Sequence, residues 1–205
     1  MPELGTVLFE HREKNSKAPE KARNLRKEDI LMNERLPGTL ISVTKEHLQN
    51  VDGILEPMFL MEGMQLRQVT QLLGIEAHTV QNWVKRKFVE SPVNKFYNRD
   101  RFVRLAILNY FKDVFSLEGI IELLKMANQD SEVYSAFCGL LAAAPVDPIR
   151  SETKLNEVID KVIDQQKFDY KKTSREQIKK LLTVLYTAHL SIVLKKEAER
   201  LLSEI

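Results

Sequence analysis

The chain is poor in the residues that most catalytic and metal sites require. Of its 205 residues only one is a cysteine, Cys138, and seven are glycines. A lone cysteine excludes an intramolecular disulfide and a thiolate metal cluster, and its apolar neighbours predict a buried structural thiol. The sequence has no glycine-rich phosphate loop, no nucleophile elbow and no His-Glu zinc motif. We therefore expect no cofactor, no bound metal and no enzymatic activity.

Long apolar runs and a charge of one sign are also missing. No apolar run approaches the ~20 residues that cross a bilayer, and the N-terminal sequence lacks the apolar core of a signal peptide. We therefore expect a cytoplasmic protein without a membrane partner. The net charge is only +2, but residues 74–104 contain seven basic and three acidic side chains, a local charge of +4. Such an excess is typical of a polyanion-binding face, although a solvated surface also accounts for charge runs.

Apolar residues at helical spacing recur along most of the chain, which predicts a mainly α fold. Residues 11–29 carry seven basic and four acidic side chains with few apolar ones. This composition predicts an arm over residues 1–35, frayed or weakly helical, that either stays in solvent or contacts DNA. After the arm, Thr44 is a suitable N-cap for a helix that Pro57 interrupts.

Residues 65–89 predict two short amphipathic helices joined by a turn at Gly74, where glycine permits left-handed backbone. The apolar stripe of the first helix consists of Leu66, Val69, Leu72 and Leu73. The second helix is predicted over residues 77–87. Its inward face consists of Val80, Trp83 and Val84, so we expect the tryptophan in the core rather than at a stacking surface.

The opposite face of the second helix carries polar side chains. Helical spacing places together His78, Gln81, Asn82 and Lys85. The side-chain amides of Gln81 and Asn82 can each bond an adenine edge in two places, a pairing that disfavours a wrong base by ~1–3 kcal/mol. The residues expected to contact DNA bases are His78, Thr79, Gln81 and Asn82. On an ordinary surface helix the same residues would only be solvated.

A short hairpin or wing is predicted over residues 91–97, and helices follow it after the N-caps Asn98 and Ser116. Phosphate contacts would provide affinity and its salt dependence rather than sequence choice. The candidates for such contacts are Lys85, Arg86, Lys95, Tyr97, Arg99 and Arg101. The ring of Tyr97 has an alternative role, which is to brace the wing.

The last part of the chain predicts a second helical block. The sequence 173–176 reads as a capping box that opens a helix over residues 174–204, about 45 Å long at ~1.5 Å per residue. Such a helix either packs across the whole molecule or carries a seam for a second chain. The seam for a dimer or another partner is predicted at Ile178, Leu181, Leu185 and Ile192. On the same helix, His189 is expected to be a packing residue rather than a metal ligand.

Residues 64–127 resemble the winged helix-turn-helix domain of the MerR family of bacterial transcription regulators, by the order and spacing of four elements. The matching segments are the turn at 72–75, Thr79-Val80 and Asn82-Trp83 in the recognition helix, the wing at 95–97, and the helices within 97–105 and 115–124. The resemblance implies a homodimer that places two recognition helices in successive major grooves. It also implies an effector-responsive C-terminal block. The whole chain is similar to an uncharacterised group of Gram-positive bacterial proteins built around such a domain.

Three features depart from the MerR pattern. Glu76 stands where a small hydroxyl residue usually caps the recognition helix. Lys87 replaces the glycine that often ends this helix, which predicts a shifted or strained end. Finally, residues 128–144 and a proline-containing loop follow the fourth helix, where the family has its dimerising coiled coil. The mode of dimerisation is therefore not implied.

The sequence as a whole predicts a sequence-specific transcriptional regulator that binds double-stranded DNA. The predicted parts are an arm at 1–35, a winged helix-turn-helix domain at 36–127, and a helical dimerisation or effector domain at 128–205. The effector would be an unknown small molecule or protein. The alternative is an adaptor that does not bind DNA and docks a partner protein with its C-terminal helices.

Overall fold

The computed structural model describes residues 35–127, 129–144 and 152–205. These three segments form nine helices and one two-stranded sheet, which confirms the mainly α fold class and the long last helix. No helix within them is long and apolar enough to cross a membrane. The predicted arm lies outside the described residues, except for Arg35.

The first two helices are α1 (Lys45–Gln49) and α2 (Asp52–Met58). Thr44 caps α1 as predicted, because its hydroxyl accepts a hydrogen bond from the His47 amide at 3.4 Å. The imidazole of His47 accepts one in return from the Thr44 amide at 3.1 Å. The single predicted helix is wrong, since the backbone leaves the helical region at Asn50 (φ −132°, ψ 60°). Pro57 lies inside α2, near its end.

Two short helices and two short strands follow. Their bounds are β1 (Met64–Gln65), α3 (Leu66–Leu73), α4 (Ala77–Lys85) and β2 (Phe96–Tyr97). Gly74 ends α3 in the left-handed region (φ 66°, ψ 35°), as the sequence predicts. The strands β1 and β2 pair antiparallel. At the predicted wing, Val93 pairs with Phe96, and Asn94 and Lys95 between them both have positive φ, as a type I′ turn requires. We call residues 93–97 the hairpin.

The centre of the core is formed by α5 (Arg99–Phe111), α6 (Leu117–Leu124) and α7 (Asp130–Ala143). The predicted caps Asn98 and Ser116 open α5 and α6 with side-chain bonds of 3.0 and 3.1 Å to backbone amides. The α7 helix packs against α1 and α5, and the hydroxyl of Tyr134 in α7 donates to the Pro37 carbonyl at 2.8 Å. One apolar core therefore contains residues from both sides of the domain boundary that the sequence predicts after residue 127.

The last two helices are α8 (Glu152–Asp164) and α9 (Arg175–Leu202). The α9 helix has 28 residues and is about 42 Å long at ~1.5 Å per residue. Its capping box joins Ser174 to Gln177, one residue later than the sequence suggests. Arg175 and Lys179 of α9 each lie 3.0 Å from a carboxylate oxygen of Asp160 in α8. These pairs fix the start of α9 against α8.

The predicted dimer seam on α9 is wrong for three of its four residues. Ile178, Leu181 and Leu185 are at most 1% exposed and belong to the chain's own core, while Ile192 is half-buried. An apolar stripe on a long helix has the same spacing whether its own chain or a second chain covers it, so the sequence could not distinguish the two. Beyond the core, large apolar residues of α9 are exposed, namely Val184, Leu194, Leu201 and Leu202.

Two residues expected to be structural are buried. His189 is 2% exposed, and its Nδ1 lies 2.7 Å from the Tyr110 hydroxyl. Desolvation lowers the pKa of His189 to about 4, with a smaller effect of Lys196. Cys138 is fully buried, and burial raises the pKa of its thiol. Both therefore pack in the core, as predicted.

Candidate nucleic-acid interface

The α4 helix presents its polar face to solvent. Val80 and Trp83 point inward as predicted, with exposures of 0% and 5%. The exposed side chains of the other face are His78, Gln81, Asn82 and Lys85. Within the part of the chain that the structure describes, none of these four makes a side-chain hydrogen bond or ion pair. Thr79, the remaining predicted base contact, is half-buried.

The end of α4 explains why the helix is shorter than the predicted span of 77–87. Lys87 adopts φ 61°, in the left-handed region. Its amide donates to the Val84 carbonyl and the Phe88 amide donates to the Trp83 carbonyl, both at 2.9 Å. This is the Schellman pattern, which usually has glycine at the left-handed position. Lysine there ends the helix at Lys85 with local strain of about 1 kcal/mol.

The start of α4 also departs from the usual pattern. Glu76 occupies the N-cap with extended backbone (φ −74°, ψ 148°) but forms no capping hydrogen bond through its side chain. Its carboxylate is exposed. The charge still lies near the positive end of the helix dipole, where a carboxylate is favoured.

A groove of about 730 Å³ lies between α4 and the hairpin. Gln81 and Lys85 of α4 line one wall, and Lys95 and Tyr97 line the other. Arg67 of α3 also lines the groove, and no acidic side chain does. Arg67 carries no signal in the sequence that distinguishes it from other polar residues on the outer face of the first helix. Its place in the groove follows from the pairing of β1 with β2, a contact between residues distant in sequence.

Three of the predicted phosphate contacts are exposed. Lys85 and Lys95 have no ion pair to any described residue. Arg86 is bound to Glu118 of α6 at 2.5 Å, and its guanidinium carbon lies 4.5 Å from the centre of the Phe88 ring. Lys85 and Lys95 are therefore available to a ligand, whereas Arg86 must first exchange its carboxylate partner.

The other three predicted phosphate contacts are corrected by the structure. Arg99 is bound to Asp52 of α2, and only 24% of its side chain is exposed. Arg101 is bound to Glu90 at 2.9 Å and is 15% exposed. Tyr97 is 3% exposed and braces the hairpin, and burial raises its pKa. These side chains hold elements of the protein together and do not face outward.

The ion pairs reduce the free positive charge of residues 74–104. Four arginines of this segment are bound to carboxylates; they are Arg86, Arg99, Arg101 and Arg104. Among the described residues around α4 and the hairpin, the cations without an ion pair are Arg67, Lys85, Lys87 and Lys95. We call these four the free cations. Arg67, Lys85 and Lys95 line the groove, and Lys87 follows the end of α4.

Comparison with known proteins places a family match over this region. Residues 44–137 match the family model described as Domain of unknown function (DUF1836). No curated protein and no solved structure matches the chain significantly. The MerR resemblance therefore stays an interpretation of the sequence. The matched segment begins at the N-cap of α1 and ends within α7, so it contains α4 and the hairpin and extends past the predicted boundary at residue 128. This match over residues 44–137 agrees with the expected similarity to an uncharacterised family.

Proposed function

We propose that the protein is a sequence-specific transcriptional regulator that binds double-stranded DNA through α4 and the hairpin. The observation that carries this proposal is the polar face of α4, which is exposed and has no partner among the described residues. The major groove of DNA is about 12 Å wide and admits one α-helix. Three of the free cations, Arg67, Lys85 and Lys95, line the groove beside this face, and no acidic side chain lines it. Such a surface suits a helix that enters the major groove between two phosphate chains.

The two kinds of side chain have different roles in this proposal. Gln81 and Asn82 read base edges with their amides, and His78 contacts a base near the start of α4. Lys85 and Lys95 bind phosphates on the two sides of the groove, and the other two free cations, Arg67 and Lys87, add two further phosphate contacts. The Arg99–Asp52 and Arg101–Glu90 pairs act indirectly, because they position α5 and the hairpin.

The proposal includes a homodimer in the cytoplasm. Two copies of the DNA-binding region, which we call reading heads and which contain α4 and the hairpin, would be related by a two-fold axis. They would bind half-sites about 34 Å apart, which predicts a pseudo-palindromic target. The second candidate function is an adaptor that docks a protein. Its support is the exposed apolar surface at the end of α9, where Leu194 and Leu202 are 67% and 71% exposed. We assign no catalytic step to either function.

The proposal is tested by selection of bound fragments from a random duplex library with purified protein. The affinity for a selected duplex and for its scrambled version is then measured over a range of salt concentrations. We expect both affinities to fall steeply as salt rises, because phosphate contacts release counterions. An adaptor would bind neither duplex in a salt-dependent way, and this result would refute the DNA-binding function.

Paired variants separate base contacts from phosphate contacts. The double substitution Gln81→Ala and Asn82→Ala should remove about 2–4 kcal/mol of sequence discrimination and leave scrambled-duplex binding unchanged. The double substitution Lys85→Ala and Lys95→Ala should weaken binding to both duplexes and reduce the magnitude of the salt slope by about 1.8. Gln71→Ala, at an exposed position of α3, is a matched control for the amides. If the amide variant weakened both duplexes equally, the base-reading role would be wrong.

A further inference from the structure

A second cleft, of about 620 Å³, lies between the α1–α2 junction and helices α7 and α8. Small-molecule sites usually have volumes of about 300–1,000 Å³. None of the residues that line the DNA-facing groove lines this cleft. It is therefore a separate site, built from both the matched domain and the C-terminal helices.

The walls of the cleft combine apolar and amide groups. Val51 and Val162 contribute apolar surface, and Gly139 of α7 leaves the space between α7 and α8 without a side chain. A Cβ atom at Gly139 would already lie 3.4 Å from Val162, so a larger residue would fill part of the cleft. The side chains of Gln165 and Gln166 bring amide donors and acceptors. Amide groups of this kind bond the polar body of a ligand from several directions.

The unbalanced charge in the cleft is positive. Asp52 lines the cleft, but Arg99 donates to its carboxylate and the Ser135 hydroxyl donates to the same oxygen at 2.7 Å. Lys161 of α8 also lines the cleft, is exposed, and has no ion pair to any described residue. An ammonium group without a partner favours an anionic group on the ligand.

We propose that this cleft binds a small organic carboxylate that carries additional hydrogen-bonding groups. Its carboxylate pairs with Lys161, and its polar body bonds the amides of Gln165 and Gln166. The geometry also connects the cleft to the hairpin. Ser135 and Asp52 hold Arg99, the first residue of α5, and only Asn98 separates Arg99 from β2. A ligand that bonds Ser135 or Asp52 competes with Arg99 and so changes the position of β2.

Binding is tested on the full chain by amide NMR, without DNA. The probes are hydroxy, acylamino and aromatic carboxylates, from lactate to hippurate, each paired with its own primary amide as an uncharged match. We expect at least one carboxylate to shift the resonances of the cleft and of β2, and to bind at least about 10-fold more tightly than its amide. Lys161→Met should weaken the binding of this carboxylate about 10-fold. Lys154→Met, on the same helix but outside the cleft, should leave its affinity unchanged.

Three results would overturn the proposal. They are the absence of cleft shifts with every carboxylate at about 10 mM, equal binding of a carboxylate and its amide, and full binding to the Lys161→Met variant. Cleft shifts without shifts in β2 would refute the connection to the hairpin. Because no DNA is present, these results do not depend on whether the protein binds DNA.

Discussion

The ion pair between Arg104 of α5 and Asp130 of α7 joins the two predicted domains, and its removal should cost much of the protein's stability. Nε and Nη2 of Arg104 lie 2.5 and 3.2 Å from the two carboxylate oxygens of Asp130. The Asp130 side chain is only 6% exposed, whereas that of Arg104 is 29% exposed. Arg104→Met keeps most of the apolar stem but leaves a buried carboxylate without its partner. We expect it to lower the free energy of unfolding by about 2–4 kcal/mol.

Urea unfolding measures this loss, with Trp83 as the fluorescent probe. Trp83 is the only tryptophan and is 5% exposed in the native state. The pH dependence gives a second test. Burial raises the pKa of Asp130 above its ordinary 3.8, and Arg104 opposes that rise, so Arg104→Met should raise the pKa further. A carboxyl whose pKa is higher in the folded state destabilises the protein as pH rises. The loss of unfolding free energy in the Arg104→Met variant should thus be largest at neutral pH and become smaller as the pH is lowered toward the ordinary pKa of a carboxyl group.

A double-mutant cycle separates the pair from other effects. Arg104→Met combined with Asp130→Asn should cost at least about 1 kcal/mol less than the sum of the two single variants. Lys125→Met, which breaks an exposed pair with Glu122, is the surface control and should cost less than about 1 kcal/mol. A deficit for Arg104→Met below about 0.5 kcal/mol, or one that does not change with pH, would refute the reasoning.

Three other predictions concern backbone strain, burial and assembly. Gly38→Ala should lower the free energy of unfolding by at least about 3 kcal/mol, because φ is +75° and the new Cβ would collide with the Ala106 carbonyl; a loss under about 1 kcal/mol in urea unfolding would contradict it. Burial lowers the pKa of His189 to about 4 from an ordinary 6.5, so the unfolded state binds a proton at higher pH than the folded state does. The free energy of unfolding should therefore fall by up to about 3 kcal/mol as the pH is lowered from 6.5 to 4. His189→Phe should flatten that pH profile, and an unchanged slope would show that another group titrates. If the predicted homodimer uses the end of α9, Leu194→Asp with Leu202→Asp should halve the mass seen by sedimentation, and an unchanged dimer mass would exclude this surface.

Local features of the structure could be predicted from the sequence because their causes are local. Thr44, Asn98 and Ser116 cap helices with side-chain bonds to amides three residues ahead, and such residue types favour this position in any sequence. Gly74 ends α3 for the same kind of reason. The amphipathic pattern of α4 also identified its buried face, since burial follows helical spacing.

The partners of charged side chains could not be predicted, because they are set by the tertiary fold. Arg99 finds Asp52, which is 47 residues away in the sequence, and Arg101 finds Glu90 on the far side of the hairpin. In the sequence these arginines look the same as Lys85 and Lys95, which have no such partner. The core position of Ile178 follows from the packing of α9 on α7 and α8, and no local pattern contains that information.

The number of free cations predicts how steeply the affinity for DNA falls with salt, which one salt titration measures. Each phosphate contact changes the slope of log K against log salt by about −0.9, so the four cations Arg67, Lys85, Lys87 and Lys95 predict about −3.6 for one reading head. A homodimer on two half-sites would give about −7. Arg99 and Arg101 would add to this slope only by leaving their carboxylates, and Asp52 would then keep only the Ser135 hydroxyl of these two donors. A measured slope near −3.6 on a single half-site would therefore support phosphate contacts by the four free cations, with Arg99 and Arg101 still bound to their carboxylates. A slope well beyond it would mean that the paired arginines turn outward in the complex, and a slope near zero would leave the adaptor as the function.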